Sequence, residues 1–586
     1  MEKNRLIAYF CAEFGGKVAS GGLGYLARDW LKAAADERMP VVAVGLYYSR
    51  GNHHQVLTDG GWQNDEWDGF TPQIELVPEG KVKLALNGED ISVIVGKTAE
   101  RSSIPGAQGS VTQYLLTTVG NNKDYSSVLY PSDGDQQLIE NAILGIGGVE
   151  VLEKLGLAPD ACVMNEGDSA PLVLALTRKY GAEKASEMTF FVTHTSVPAA
   201  IREVGYDKAK AVFHDYLPPA EEFETITGSS QYNNMRTAMG YASYARSQSP
   251  SVFGVSDLHT RVSRALFSDY RGIEQISRLD NAVHLPSWVS PEVIRAYEGV
   301  TDGRWRREPE TLEWLIRAVS PQRAHEIAEP GRMRLTELMT DGRRKVWNFG
   351  REYDPDKTTF AWNRRFAPYK DPLLMFHDAT IDRLVQLGDT SQVVFAGKSH
   401  PNDKGGKDLI AELFRIARDM PVPVFFIEDY DADVAAALAQ GADAAINTPM
   451  LLKEASGTSG MKFAANFRPV ISKFDGWTKP EQPSGKFHMP HGLWHGMNGW
   501  GIGRMPTGSY VRDIGFMSGD QIEAERRQDA LQLISVMEEV AAMRRTPGGR
   551  EELGRMMVNA AAMNAYYSAT RMVRDYMEAI DRRLGS

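Results

Sequence analysis

The densest run of chemistry-bearing residues is Glu454-Ala-Ser-Gly-Thr-Ser-Gly-Met-Lys462, which follows a short apolar run at 444–446 and an Asn-Thr-Pro corner at 447–449. Glycines let a backbone approach a ligand closely, and unpaired amides at a helix start favour anions. Ser456, Thr458 and Ser459 add hydroxyl donors. Lys462 falls one turn into a helix expected around 461–465, where a lysine can bind phosphate or form a Schiff base with an aldehyde. Taken alone, an ordinary loop with a surface lysine is the commoner reading. A second cluster, Arg364, Arg365 and Lys370, places three cations within seven residues at the end of a strand expected at 358–362. Arginine offers bidentate contacts and lysine a point charge, so the cluster is a candidate clamp for a dianion; a solvated basic face has the same composition.

Positioning these groups takes alternating strands and helices. A strand at 6–10, a helix opened by Gly21-Gly22-Leu23-Gly24 and a strand at 40–46 make a βαβ unit of the dinucleotide-binding type. Leu23, Leu26, Ala27, Trp30, Leu31 and Ala34 share one face of that helix at a 3.6-residue period. The glycine spacing is not GxGxxG, so a nicotinamide cofactor is not expected, whereas a phosphate near the helix start is compatible. Residues 47–125 read as a β-rich excursion, with strands at 81–86, 91–95 and 113–118, and 137–155 reads as helix. Strands at 162–164, 190–193 and 252–255 end in Asn165-Glu-Gly-Asp-Ser169, His194-Thr-Ser-Val-Pro198 and Ser256-Asp-Leu-His259. Polar residues where strands stop mark the carboxyl edge of a parallel sheet, the ligand-binding edge of such folds. The second half repeats the alternation, with strands at 358–362, 392–396, 424–427, 444–446 and 469–472 and helices at 519–545 and 550–583. Leu531, Ile534, Met537 and Val540 form a core stripe there. The adjacent His53 and His54 do not suit one metal and read as solvated; no metal site is expected.

A chain of 586 residues exceeds one hydrophobic core, so two domains are expected, 1–285 and 286–586, the first carrying the β-rich insertion near 47–125. Hydrophobic content of 42% and charged content of 24% are those of a globular protein. A net charge of −11 argues against nucleic acid as a partner, and no run of about 18 apolar residues marks a membrane span. Two cysteines, Cys11 and Cys162, cannot build a disulfide framework, and the early acidic residue does not suit a signal peptide. A cytoplasmic location is expected.

Glu454-Ala-Ser-Gly-Thr-Ser-Gly-Met-Lys462 closely resembles the pyridoxal-phosphate lysine segment of the α-glucan (glycogen, starch, maltodextrin) phosphorylases. Blocks similar to that family run in order over roughly residues 7–580: Ser20-Gly-Gly-Leu-Gly24, Tyr47-Tyr48 with Arg50-Gly51, His194-Thr-Ser-Val-Pro198, Asn281-Ala-Val-His284 with Trp288, Arg364-Arg-Phe-Ala-Pro-Tyr-Lys370, Glu428-Asp-Tyr-Asp431 and Asn498-Gly-Trp-Gly-Ile502. The match is to the shorter bacterial and archaeal branch. The resemblance implies an α/β protein of two Rossmann-like domains facing across a cleft, the glycosyltransferase-B arrangement. It implies a retaining phosphorylase, a hexosyltransferase that reversibly converts an α-glucoside and inorganic phosphate into α-glucose 1-phosphate with pyridoxal 5'-phosphate as cofactor. By the same resemblance Lys462 carries the cofactor, Arg364 and Thr458 hold its phosphate, and Tyr430, Tyr48 and Gly22 lie near it. Arg365, Lys370, Gly21 and Gly22 would bind the substrate phosphate. His194, Asn281, Glu454, Ser456 and Gly457 would bind the sugar, with Lys462, Arg365, Lys370 and His194 counted as catalytic. Partners are then inorganic phosphate, sugar 1-phosphate and an α-glucan or oligosaccharide, and a homodimer is left open.

Three departures stand out. Asp168 takes the place of a usual histidine, Gly134-Asp-Gln-Gln-Leu-Ile-Glu-Asn141 replaces a segment that normally holds Arg and Gln-Glu, and Asn466-Phe467 stands where Asn-Gly is usual. The first two lie, by resemblance, on the glucan side. They bring in two rivals: a retaining glycosyltransferase or phosphorylase of the same fold acting on a small non-glycogen glycoside, and a non-catalytic glucan-binding relative. A pyridoxal aminotransferase is weaker, because no aspartate for the ring nitrogen stands in a suitable context.

Overall fold

The computed structural model describes residues 5–15, 22–69, 74–118, 123–197, 202–245, 247, 249–506 and 518–585. The chain divides into two compact units. The first holds Met1–His53, Trp67–Asn281 and Met572–Ser586; the second holds His54–Glu66 and Ala282–Arg571.

The first unit is built on a ten-stranded sheet. Seven neighbouring strands run parallel in the order Ser277–Arg278, Val252–Gly254, Thr189–Thr193, Ala161–Asn165, Ile7–Phe10, Val41–Leu46 and Ser110–Thr117. Numbered along the chain, six of them follow the doubly wound order 3-2-1-4-5-6, whose direction reverses between Ile7–Phe10 and Ala161–Asn165, paired as Phe10 with Met164. These strands are buried along their length, as parallel strands covered on both faces must be. Helix Gly22–Asp36 lays the expected Leu26, Ala27, Trp30, Leu31 and Ala34 into the core, where Trp30 stacks on Tyr9 at 4.4 Å.

The β-rich segment is not a separate excursion. Ser110–Thr117 pairs parallel with Val41–Leu46, and Glu89–Arg101 joins it antiparallel with Glu75–Leu76 beyond, so most of 75–117 extends the main sheet. Within the helical stretch after Asp133, Gly134–Ala142 and Gly148–Lys154 are separated by a π-helical turn, Ile143–Gly147.

The second unit carries a seven-stranded sheet, ordered Val346–Trp347, Val424–Ile427, Ser391–Ala396, Thr358–Asn363, Ala444–Asn447, Val470–Lys473 and Gly499–Ile502. All but the first strand are parallel, and they again run 3-2-1-4-5-6. Thr358–Asn363 and Ala444–Asn447 meet at the reversal through Phe360 with Ala444 and Ala361 with Ala445. The segment expected as one helix over 550–583 is two, Pro547–Met563 and Ala569–Gly585. Between them Val283 and Ser568 form a bridge, and Val283 N–H donates to the Tyr567 carbonyl at 3.0 Å, so the intervening backbone is drawn out of the helical ladder. Both units are α/β with doubly wound parallel sheets, the class expected. Among the described residues no helix is long and apolar enough to cross a membrane.

Candidate functional site

A direction reversal in a doubly wound sheet leaves a crevice at the carboxyl ends of the two central strands, because the connections leave to opposite faces. In the second unit those strands deliver the two clusters singled out above. Thr358–Asn363 runs into Arg364, Arg365 and Lys370, and Ala444–Asn447 runs into the loop that ends at Lys462.

The loop is held against the cation segment by its backbone. Thr448 Oγ1 donates to the Asp371 carbonyl at 2.9 Å, and Met450 N–H donates to the Tyr369 carbonyl at 2.7 Å. Asp475, beyond the next strand, accepts the Lys453 and Glu454 amides at 3.1 Å each and the Gly476 amide at 2.8 Å. Burial outweighs those hydrogen bonds and raises the Asp475 carboxyl to about 7. Gly476 has φ +59°, and a Cβ there would meet the Ser456 carbonyl oxygen at 2.3 Å, so only glycine lets the two turns nest.

Within this frame Glu454 bridges two cations. Its Oε2 pairs with Arg364 Nη1 at 3.2 Å and with Lys370 Nζ, and all three side chains are buried. Burial works against the charged carboxylate, yet Arg364 and Lys370 hold it down at about 2. Arg365 Nη2 donates to Tyr369 Oη at 3.5 Å. Burial alone would raise that phenol, but Lys370 and Arg365 bring it below its ordinary value. One guanidinium and one ammonium thus share one carboxylate, with a second guanidinium on the neighbouring Tyr369 hydroxyl, and the local field favours a further anion.

Lys462 lies on helix Ser459–Ala465 and is buried, with Nζ 3.4 Å from the centroid of the Trp288 ring. Asn466 ties this helix down: its Nδ2 donates to the Lys462 carbonyl at 2.8 Å and the Trp288 carbonyl at 3.0 Å, and its Oδ1 accepts Ser290 N–H at 2.9 Å. Seven residues give little helix dipole, so anion binding here rests on side chains and loop amides. Thr458, at the start of that helix, makes no capping hydrogen bond with its side chain. Gly457 (φ +72°) lies so close to Arg364 that a Cβ would meet Nη2 at 2.9 Å. Asn363 Nδ2 donates to Tyr430 Oη at 3.4 Å. The donor set suits pyridoxal phosphate: one buried amine for the aldehyde, and a guanidinium with a hydroxyl-bearing loop for the phosphate. Asn447 Oδ1, buried at the end of the central strand with no hydrogen-bond partner, adds an acceptor.

The departure at Asn466-Phe467 is absorbed locally. Phe467 takes φ +59°, a conformation glycine adopts freely and a phenylalanine at a cost of about 1–2 kcal/mol. Its ring is fully buried with its centroid 6.2 Å from that of Tyr297, and burying such a side chain returns about 1.5–3 kcal/mol.

In the first unit the corresponding crevice is acidic. Glu166 follows strand Ala161–Asn165 at φ 75°, ψ 164°, a backbone region nearly confined to glycine. Its carboxylate accepts His194 N–H at 2.8 Å, Gly167 N–H at 2.9 Å and Thr195 Oγ1 at 3.0 Å, while burial raises it to about 7. Asp168 is raised to about 6, also by burial. Glu140 is buried with Oε2 unpartnered, and burial followed by the Asp168 charge pushes it well above the carboxylate range. His194 Nε2 meets Asn165 Oδ1 at 2.8 Å, and burial, then His259, lowers it to about 3. His194 is therefore neutral near pH 7, a hydrogen-bonding group and not a proton source. Its Nδ1 lies 3.5 Å from Asn281 Nδ2, and Asn281 Oδ1 is buried without a partner.

Of the residues expected from sequence, Arg364, Arg365, Lys370, Glu454, Ser456, Gly457, Thr458, Tyr430 and Lys462 lie in the second unit, and His194 and Asn281 come together in the first. Tyr48 is buried, its hydroxyl donating to the Ala12 carbonyl at 2.8 Å, and Gly22 opens its helix; Gly21 and Pro198 lie outside the described residues. His54 is not merely solvated: its Nδ1 pairs with Asp429 Oδ2 at 2.8 Å. Sequence reasoning gave no role to Trp288, Asp475, Tyr369 or Glu140. Tyr369 carried a local signal from its place between Arg365 and Lys370, Glu140 one from the 134–141 departure, and Trp288 one from its block resemblance.

Asp168 supplies a direct test of this electrostatics. An acid whose pKa is raised on folding stabilises the fold least at high pH; its penalty is absent below about pH 4 and complete above about pH 6. Asp168→Asn should therefore gain up to about 3 kcal/mol at pH 8 and only about 1 kcal/mol at pH 4.5, read from denaturant midpoints at both pH values.

The chain is similar to a glycogen phosphorylase of Mycobacterium tuberculosis, 31% identical over 98% of this chain and 70% of the relative. It is also similar to a glycogen phosphorylase of Aquifex aeolicus, at 30% over 83% and 74%, and to a maltodextrin phosphorylase of Thermococcus litoralis, at 26% over 98% and 70%. No family model matches the chain.

Proposed function

Since this chain belongs to the glycogen/maltodextrin phosphorylase family, we propose that it is a pyridoxal-phosphate-dependent retaining phosphorylase that cleaves an α-glucoside with inorganic phosphate to give α-glucose 1-phosphate. The observation that carries this reading is the meeting of Arg364, Arg365, Lys370 and the Lys462 loop at the sheet reversal of one unit.

Lys462 would hold the cofactor, with Arg364 and Thr458 on its phosphate and Tyr430 beside it. When bound, the cofactor supplies a phosphate that exchanges a proton with inorganic phosphate. Arg365 and Lys370 bind the substrate phosphate and neutralise its charge, an electrostatic role worth several kcal/mol in comparable sites. Because Glu454 is held ionised by Arg364 and Lys370, it accepts hydrogen bonds from sugar hydroxyls and donates none. Ser456 and the Gly457 backbone complete that set. In the first unit the neutral His194 offers an acceptor through Nδ1, and the unpartnered Asn281 Oδ1 accepts a sugar hydroxyl. Neither group moves a proton near neutral pH; in this reading, as the family resemblance implies, the proton for the departing oxygen comes from the phosphate.

The acidic crevice of Glu140, Glu166 and Asp168 favours a second reading of the substrate, a short or small glycoside in place of a polymer. Assays of sugar 1-phosphate release should separate the two. Maltooligosaccharides consumed in strict dependence on phosphate support the proposal, with glycogen as the competing substrate. Failure to release sugar 1-phosphate from any α-glucoside would overturn it.

A further inference from the structure

Two backbone segments of the second unit meet at one side chain. Asp475, two residues past strand Val470–Lys473, is fully buried, and backbone amides alone fill its carboxylate. Oδ2 accepts the Lys453 and Glu454 amides at 3.1 Å each, and Oδ1 accepts the Gly476 amide at 2.8 Å. Among the described residues no cation forms an ion pair with it; the neighbouring Lys473 pairs with Asp529. Thr478 sets the residue in place, its Oγ1 accepting the Asp475 amide at 3.0 Å and donating to the Asp475 carbonyl at 2.8 Å. The same turn pins the loop a second time, where Trp477 N–H donates to the Ser456 carbonyl at 3.0 Å.

The two amides on Oδ2 belong to the loop that carries Glu454, and that loop is strained. Leu452, one residue earlier, takes φ +66°, a conformation disfavoured for a bulky side chain that persists only where its surroundings fix it. A second carboxylate buried beside Glu454 is a costly way to fix it. Burial first, with the Glu454 charge behind it, raises Asp475 to about 7 against the pull of its amides and of Lys473. A neutral asparagine would avoid that repulsion, but it has one acceptor oxygen and cannot take amides at both ends. The helix that carries Lys462 is held separately, by Asn466 on the Trp288 carbonyl and the Ser290 amide. Asp475 therefore fixes Glu454 and not Lys462.

We propose that Asp475 is a positioning residue for the sugar: through the Lys453 and Glu454 amides it sets the place of the Glu454 carboxylate, and with it the fit of the sugar hydroxyls. The role rests on the phosphorolysis proposed above. It also carries a pH dependence. Ionised above about pH 7, Asp475 accepts amides on both oxygens; protonated below it, one oxygen becomes a donor and the hold on the loop slackens. The charged groups that face it are Glu454, which stays ionised across this range, and Lys473 with its partner Asp529; the Lys453 side chain is exposed.

Steady-state phosphorolysis of a maltooligosaccharide by the cofactor-loaded full chain tests this. Asp475→Asn should raise KM for the sugar at least about tenfold, the worth of one hydrogen bond to a charged acceptor, while KM for phosphate and the cofactor absorbance stay within about twofold. Inorganic phosphate, Glu166 and Asp168 titrate near the same pH, but equally in both proteins. The ratio of wild-type to variant kcat/KM for the sugar should therefore fall by up to about tenfold from pH 8 to pH 6, a change that general loosening of the fold does not give. Hydrogen exchange needs neither a folded variant nor turnover: corrected for intrinsic rate, residues 450–458 of the wild type should exchange faster at pH 6 than at pH 8. Three results would remove the role and leave phosphorolysis standing: an Asp475→Asn protein with the wild-type KM for sugar, one whose KM for phosphate rises as much, or wild-type exchange indifferent to pH. A wild type that turns over no α-glucoside would end the proposed reaction and this role with it.

Discussion

Lys462→Ala is expected to strip the protein of pyridoxal phosphate and to reduce phosphorolysis by at least about 10³-fold, the largest loss of any single replacement. The group removed is the one buried amine of a helix whose Met461, Phe463 and Ala464 are themselves core. Alanine leaves those three in place, and the helix stays tied through Asn466 to the Ser290 amide and the Trp288 carbonyl. What is lost is the amine over the Trp288 ring, an interaction worth about 0.5–2 kcal/mol, a minor term for the fold. Lys462→Arg sharpens the test, since it keeps a cation over Trp288 but cannot join an aldehyde. The measurement is absorbance of the desalted protein before and after borohydride, beside phosphate-dependent release of sugar 1-phosphate. Both variants should fold, lack the cofactor chromophore and turn over at background. A folded Lys462→Ala protein with full turnover would remove Lys462 from the chemistry.

What could be read from the chain beforehand was local. Apolar runs ending in polar residues gave the strand ends that deliver Glu166, His194 and Arg364, and the 3.6-residue period gave the buried face of Gly22–Asp36. Strand order is not local, and it decides where a crevice forms. Nothing in the sequence says that Thr358–Asn363 lies beside Ala444–Asn447, about eighty residues on, and not only beside Ser391–Ala396. The same blindness made residues 47–125 look like an insertion, although Ser110–Thr117 belongs next to Val41–Leu46. It hid the exchange of segments between units too: His54–Glu66 packs with the second unit through Gln55 and Gln63, which hydrogen-bond Gly397 and Ser399, while Met572–Ser586 returns to the first. Trp288 was marked only by its block resemblance and not as a partner of Lys462, because an aromatic 174 positions away becomes a platform only once Asn466 joins the two segments. Phe467 is a different case. The chain shows a phenylalanine where a glycine-like backbone is needed, and only the buried ring against Tyr297 explains how it is tolerated.

Replacing Glu454 by glutamine should give the second-largest effect, first on the fold and then on catalysis. Glutamine keeps the shape and one acceptor but removes the charge set between the buried Arg364 and Lys370. Breaking one partner of a buried ionic cluster leaves the others uncompensated and costs about 3–5 kcal/mol. The carboxyl's own depression agrees: a shift from an ordinary glutamate to about 2 corresponds to about 3 kcal/mol at neutral pH. An acid whose pKa is lowered on folding contributes its stability above about pH 4.5 and loses it as pH falls toward 2. The gap between wild type and Glu454→Gln should therefore be full at pH 7 and narrow below about pH 4, as followed by urea denaturation at a series of pH values. The same cations then predict a rescue. If Arg365 and Lys370 bind substrate phosphate, millimolar inorganic phosphate should raise the denaturation midpoint of Glu454→Gln more than that of the wild type, because it restores the missing counter-charge. Sugar binding should not recover, since the acceptor for its hydroxyls is half gone. A variant as stable as the wild type at pH 7 and indifferent to phosphate would mean that the cluster is solvated and holds no anion.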